Sequence, residues 1–280
     1  MSTYLWPILY TLFVWWFSTG VILYLNRLPR WTYPWTMGAT TVLLGLAFVG
    51  LAATRDDTRV SGAYIAFTCT VLVWAWQEVA FLLGFVTGPR RSPCPVGSSG
   101  WQRAGFAAQT LLHHELALLV LGCGVVAATW GGANPTGVAA FAILWVMRQS
   151  AKLNVFLGVR NLNAGFLPTH LAYLATYFRQ ARMNSLFPIS VVASTWFAVL
   201  LWQAAAAPGV QPFDATALSF AGALLSLAIL EHWFMVLPRP ARPVPRTRSR
   251  PRPRSGTANS SGLAESRWRG MPDGSAGRRR

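Results

Sequence analysis

The sequence is poor in charge and poorer still in acid. Only 11% of its 280 residues are charged, with eight Asp+Glu against 24 Lys+Arg, while 53% are hydrophobic. A soluble nucleic-acid-binding domain carries its basic patch on a polar folded surface, and this composition excludes one. Cysteine is scarce as well. Cys69 and Cys123 fall inside apolar runs, Cys94 stands alone, and no CxxC occurs, so neither a zinc site nor a redox pair is indicated. Ten-residue stretches of alternating polar and apolar residues are missing, which argues against a membrane barrel. There is no G-x-S-x-G, P-loop or dinucleotide fingerprint at a strand-to-helix turn. No internal repeat supports an inverted-repeat transporter.

Long apolar runs are what the chain has instead. Seven can be read off, at about Leu5–Leu25, Trp35–Ala53, Gly62–Val86, Ala104–Thr129, Gly137–Leu157, Leu186–Ala206 and Ala215–Leu237. Each is near the ~20 residues that a helix needs to cross a bilayer. Trp and Tyr cluster near several ends (Tyr4, Trp6, Trp31, Tyr33, Trp35, Trp101, Trp130), where amphipathic rings favour the interface. The first run lacks a basic start and a small-residue cleavage site, so it reads as a retained helix. The expected fold is all-α: a polytopic membrane bundle of about seven transmembrane helices over 1–238, followed by a disordered Pro/Arg-rich tail over 239–280. That tail carries 12 of the 24 Lys+Arg and should lie along an anionic inner leaflet without binding nucleic acid specifically.

Loop charge sets the direction. Arg27 and Arg30, then Arg90, Arg91 and Arg103, then Arg160, Arg179 and Arg182 all lie on the same side as the tail. On the other side, Arg55 and Arg59 are offset by Asp56 and Asp57, and two loops have no Lys or Arg. The N-terminus is expected outside and the C-terminus in the cytoplasm, in a bacterial inner or intracytoplasmic membrane.

The ionisable residues inside the runs are few. Glu78, His113, His114, Glu115, Arg148, Lys152, Glu231 and His232 come from four spans. At ~1.5 Å rise per residue those of spans three, four and seven lie roughly 9–17 Å below the cytoplasmic boundary, with Arg148 and Lys152 at comparable depth. Charges in hydrocarbon cost at least ~2.5–3.5 kcal/mol each, so they should face inward and pair. Two readings stay open. One is a salt-bridged layer that fixes helix packing. The other is a site for a cation, a proton or a tetrapyrrole metal, with His114 or His232 as axial ligand to a chlorophyll-type magnesium. A dinuclear metal site needs Glu-x-x-His on one helix face, whereas His114-Glu115 and Glu231-His232 are adjacent and diverge by about 100°.

The loop from about Gly158 to Ser185 holds Asn161 and Asn163, residues of turns and caps. An amphipathic helix at about 166–182 is expected to follow, lying in the interface with Pro168 in its first turn. Leu167, Leu171, Leu174 and Phe178 form one stripe, and Phe166, His170, Tyr173 and Tyr177 an adjoining aromatic one, closed by Arg179 and Arg182. With Asn161 and Asn163, the aromatic stripe and the arginines are candidates for docking a membrane partner. The Pro/Gly-rich loop Thr87–Ala104 is either a rigid connector or a contact for anionic headgroups.

The segments WQEVAFLLGFVTGPRRSPCP, LLHHELALL, WVMRQSAKLNVFLGVRNLN, FLPTHLAYLATYFRQARMNSLFPISV and LEHWFMVLP occur in this order. Together they resemble the photosynthetic-complex assembly proteins of the PuhE type, found beside reaction-centre subunit genes in phototrophic bacteria. The resemblance covers roughly residues 1–238 and is densest over Ser150–Val192. It implies an inner-membrane assembly factor, with reaction-centre or light-harvesting subunits as partners and bacteriochlorophyll or a precursor as a candidate ligand; a non-enzymatic role is the expectation. Glu78, His114-Glu115, Arg148, Lys152, Asn154, Asn161, His170 and Glu231-His232 match its pattern. Ala164-Gly165 departs from it, and the Arg-rich tail extends beyond it. Two rivals use the same polar layer: a metal-dependent enzyme acting on a pigment precursor, and a transporter of ions or small solutes.

Orientation is directly testable by reporter fusion. Green fluorescent protein fused after Arg280 should fluoresce, and alkaline phosphatase fused after Asp57 should be active. The opposite pattern would overturn the expected direction.

Overall fold

The computed structural model describes residues 2–162 and 167–238. Seven α-helices follow one another: α1 (Ser2–Arg27), α2 (Tyr33–Ala53), α3 (Val60–Leu82), α4 (Gly100–Ala128), α5 (Thr136–Leu157), α6 (Leu186–Ala205) and α7 (Pro212–Val236). No β-strand occurs among the described residues, and the one bridge joins Val159 to Gln180. Six helices are long and apolar enough to cross a membrane. The remaining one, α5, has 22 residues but carries Arg148, Gln149, Lys152 and Asn154. It packs against α3, α4, α6 and α7, so its polar groups meet protein neighbours. The chain is a multi-pass helical membrane protein.

Helices that are apolar on every side have no solvent face to choose, and their positions follow from packing. The spans of α3 and α7 are more than half buried, whereas those of α1 and α2 are mostly uncovered. Trp16 and Trp35 on those outer helices are 74% and 77% exposed. Inside, Phe67 of α3 stacks on Phe220 of α7 with ring centroids 4.4 Å apart. Tyr10 of α1 meets Phe220 edge-on and shares a 2.7 Å hydrogen bond with Thr68. Small residues permit close approach, as TM interfaces require. A Cβ at Gly222 on α7 would stand 2.9 Å from the Trp202 ring of α6.

The two ends of the bundle are tied differently. At one end Asn134, 2% exposed, donates from Nδ2 to the carbonyls of Thr54 (3.1 Å) and Asp57 (3.3 Å), and its Oδ1 accepts the Thr136 N–H (3.1 Å). The nearby charges pair locally, Arg55 with Asp56 and Arg59 with Asp57, each at 2.9 Å. Hydrogen bonds from the Arg59 side chain and then its backbone N–H push the Asp57 carboxyl down to about 2. These pairs are largely solvent-facing, so they neutralise the loop more than they stabilise it.

The other end, here called the basic end, collects the arginine-bearing loops. α3 stops at Leu82, four residues short of the apolar run, because Gly84 takes a left-handed turn (φ +84). The Gly84 N–H bonds the Phe81 carbonyl and the Phe85 N–H bonds the Ala80 carbonyl, a Schellman closure. Arg90 donates from Nε to the Tyr177 hydroxyl (2.7 Å), which donates to the Ser92 carbonyl (3.0 Å). Arg103 donates to the Tyr177 carbonyl and lies over the Phe156 ring, 4.4 Å from its centroid.

The helix expected at about 166–182 differs in extent and type. It is a nine-residue 3-10 helix, Thr169–Tyr177, and Phe178 already has extended backbone. A 3-10 helix stacks residues three apart. Leu171, Leu174 and Tyr177 are therefore the buried set, and Leu171 and Leu174 pack on Phe81 of α3. The chain cannot continue as helix because Val159 and Ala181 draw it into extended bonds: the Val159 N–H reaches the Arg179 carbonyl and the Ala181 N–H reaches the Val159 carbonyl. The tail over 239–280 lies outside the described residues.

Replacing Asn134 by Ala leaves buried carbonyls and an N–H without partners, which costs about 1–3 kcal/mol. The expected outcome is a lower thermal midpoint in detergent with unchanged helix content. An unchanged midpoint would show that the two loops are held by other contacts.

Candidate functional site

The predicted polar layer centres on α5. Arg148 donates from Nη2 to Glu78 Oε2 of α3 at 2.8 Å. Lys152 reaches Glu115 Oε1 of α4 at 2.6 Å, and Gln149 Nε2 donates to the other oxygen of that carboxylate, also at 2.6 Å. Ser150 and His232 Nε2 of α7 share a hydrogen bond of 2.9 Å, while His232 Nδ1 lies 2.8 Å from the Ala228 carbonyl. Asn154 donates to the Ser150 carbonyl (2.9 Å) and to Ser190 Oγ of α6 (3.3 Å). Successive residues of a helix rotate by about 100°, so residues 148–154 cover its whole circumference. One stretch of α5 thereby reaches four neighbouring helices.

Of the eight predicted layer residues, His114 and His232 are buried, Glu78, Glu115, Arg148 and Lys152 are half-buried, and two are exposed. His113 and Glu231 lie exposed on the outer surface of the bundle. The same rotation explains both: with His114 and His232 turned fully inward, their immediate neighbours must turn away. His114 is wholly buried and meets α3 instead of α5, its Nε2 lying 3.1 Å from Gln77 Nε2 and its ring 4.4 Å from that of Phe81. Four buried atoms of these groups, Gln77 Oε1, Glu78 Oε1, His114 Nδ1 and Arg148 Nε, have no protein hydrogen-bond partner. They are the atoms through which this region can bind a small polar group. Among the described residues no three His, Cys, Asp or Glu side chains gather as a metal site. As for axial ligation, both nitrogens of His232 are engaged, and His114 is enclosed.

The predicted docking residues also divide. Asn161 turns toward α7, donating from Nδ2 to the carbonyls of Phe234 (2.8 Å) and Leu237 (2.7 Å), so it caps that helix's C-terminus. Tyr177 is buried under the bonds already described, and His170 Nε2 donates to the Leu82 carbonyl at 2.9 Å. Tyr173 is half-buried, and Arg179 is exposed with Arg182. Asn163 and Phe166 lie outside the described residues.

Neutral polar residues carry much of the network. Gln77, Gln149, Ser150 and Asn184 escape a search for charges. Asn184 accepts the N–H groups of Leu186 (2.9 Å) and Phe187 (3.1 Å) at Oδ1, capping α6, and donates from Nδ2 to Asn154 Oδ1 (3.0 Å) and the Gly158 carbonyl (2.9 Å). The available signal was an Asn two residues before an apolar run.

Fold and site together define a multi-pass helical membrane protein whose helices are joined through a polar stretch of one inner helix. The chain belongs to the family described as a protein of unknown function, DUF3623, whose model matches residues 1–253. Over 237 residues it is 43% identical to a Rhodobacter capsulatus protein described as an uncharacterized 30.4 kDa protein in the puhA 5′ region, an alignment covering 82% of this chain and 85% of the relative. No solved structure matches it.

Removing one partner of a fully buried ion pair costs about 3–5 kcal/mol, and less is expected for Arg148–Glu78, whose side chains are 39% and 13% exposed. Glu78→Ala and Arg148→Ala should each lower the thermal midpoint, and Glu78→Leu with Arg148→Met should restore much of it. Additive losses in the double variant would show that the pair is not coupled.

Proposed function

We propose that this protein is a non-enzymatic assembly factor for the photosynthetic reaction centre or light-harvesting complex, acting in a bacterial inner or intracytoplasmic membrane. The observation that carries the reading is the 43% identity to a protein named for the 5′ region of puhA. The resemblance to assembly proteins encoded beside reaction-centre subunit genes agrees with it. The geometry supports the same reading from another side. Most charged and amide groups of α5 are bonded to neighbouring helices, as in a scaffold.

The partner surface is formed by what remains uncovered. α7 presents Phe234 about 60° round the helix from Glu231 on its outer face, and Arg179 and Arg182 stand exposed at the basic end. An aromatic ring near a single carboxylate suits contact with another transmembrane helix bearing a polar group. Any bacteriochlorophyll handed over at His232 must first displace Ser150 from Nε2, so pigment binding is transient in this reading.

The test is what the protein carries out of the membrane. Purified in mild detergent from pigment-producing cells, it should bring reaction-centre or light-harvesting subunits, and a Glu231→Ala, Phe234→Ala double variant should bring at least several-fold less. Copurification of pigment-biosynthesis enzymes in their place would overturn the assembly reading. Pigment absorbance unchanged by His114→Ala with His232→Ala would exclude these histidines as its ligands.

A further inference from the structure

The basic end contains a cavity that belongs neither to the α5 network nor to the outer face of α7. Its volume is about 230 Å³, and Arg30, Tyr33, Thr87, Arg91, His170 and Tyr173 line it together with the turn at Gly84. These residues come from three separate loops of the chain, so the cavity exists only once the bundle has assembled. Gly84 forms part of its wall. A Cβ there would stand 3.1 Å from His170 Cδ2, and the left-handed φ independently disfavours a side chain.

Leu83 and Leu171 give the cavity an apolar side, and its polar side chains are all donors. Among the described residues neither Arg30 nor Arg91 forms an ion pair with a carboxylate, and Arg91 makes only a long 3.3 Å bond to the Gly84 carbonyl. Thr87 is 1% exposed, and its hydroxyl and the buried hydroxyl of Tyr173 lie near one another with no well-formed hydrogen bond to any protein group. Burial holds His170 below its ordinary pKa; the Leu82 carbonyl opposes this, and the positive fields of Arg30 and Arg91 add to it. Both guanidinium groups therefore act on the same small volume. Two cations and two neighbouring hydroxyls free to turn toward a ligand, with no anion to balance them, are the complement of a tetrahedral oxyanion. The depth agrees. Trp31 and Trp35, 74% and 77% exposed, flank Tyr33 at the start of α2, where an aromatic belt marks the headgroup level.

We propose that this cavity is a binding site for a phosphate group at the membrane boundary, held by Arg30 and Arg91 and oriented by the hydroxyls of Thr87 and Tyr173. At about 30 Å³ per water, the space admits a phosphate and several waters. The phosphate is carried either by an anionic lipid headgroup or by a soluble phosphate ester, and the chemistry of recognition is common to both. Whatever fills it bridges the loops before α2, after α3 and before α6, and so stiffens the basic end.

Native mass spectrometry of the full chain, released from nanodiscs, tests the assignment. The probes are phosphatidylglycerol in phosphatidylcholine discs and inorganic phosphate added to pure phosphatidylcholine discs. Retention of one phosphatidylglycerol identifies the lipid source, and retention of phosphate alone identifies the soluble one; either supports the site. Arg30→Gln with Arg91→Gln should weaken retention by about a hundredfold, each charge-assisted contact being worth about tenfold. Tyr173→Phe, which removes only a hydroxyl and should fold normally, should weaken it severalfold. Arg242→Gln in the tail should leave it unchanged. Retention of neither probe, or retention unaffected by both the arginine and the tyrosine variants, overturns the proposal.

Discussion

The rest of the bundle depends on α5 being the polar helix among apolar ones. A transmembrane helix bearing Arg148, Gln149, Lys152 and Asn154 cannot face lipid cheaply, because each charge left unpaired costs several kcal/mol. It is stable only where neighbouring helices supply partners for its polar groups. Glu78 from α3, Glu115 from α4, His232 from α7 and Ser190 from α6 do so. The requirement is mutual, since Glu78 and Glu115 are equally costly without the cations. Lipid tails are as apolar as leucine, so apolar packing alone chooses weakly among arrangements of seven helices. The polar contacts select one.

The same logic continues at the basic end, with backbone carbonyls as partners. Asn161 closes the C-terminus of α7, Asn184 opens α6, and Arg103 holds the chain between α5 and α6 against the start of α4. Arginines that a loop-charge argument treats only as orientation signals are thus partly structural. Arg90 and Arg103 are committed to Tyr177, whereas Arg30 and Arg91 remain turned to the cavity. Arginines of the same loop therefore have different roles, and only their partners distinguish them.

Much of this was legible in the chain itself. Six of the seven spans stand out by apolar length, because a bilayer demands it, and the choice of Glu78, Glu115, Arg148, Lys152 and His232 rests on the high cost of charge in hydrocarbon. Depth along a helix follows from a fixed rise per residue, which put these residues in one layer. Which face each residue takes was not legible. His113 and His114 are the same residue type, and Glu231 and His232 are both ionisable, yet one of each pair faces outward. The loop after α5 misled for a related reason: its apolar stripes fit an α-helix, but contact with Phe81 and the pull of Val159 made it 3-10 and then extended.

By itself, then, the sequence determined that this is a multi-pass helical protein, with one polar layer and a strongly basic C-terminal segment. These follow from composition and length, properties that hold residue by residue. Tertiary structure alone decided the pairing of Arg148 with Glu78 and Lys152 with Glu115, the central place of α5, and the gathering of Arg30, Arg91, Thr87 and Tyr173 around one cavity. Each of those depends on the rotation of a helix about its own axis and on which helices stand beside it. An all-round apolar helix carries no amphipathic stripe to announce either.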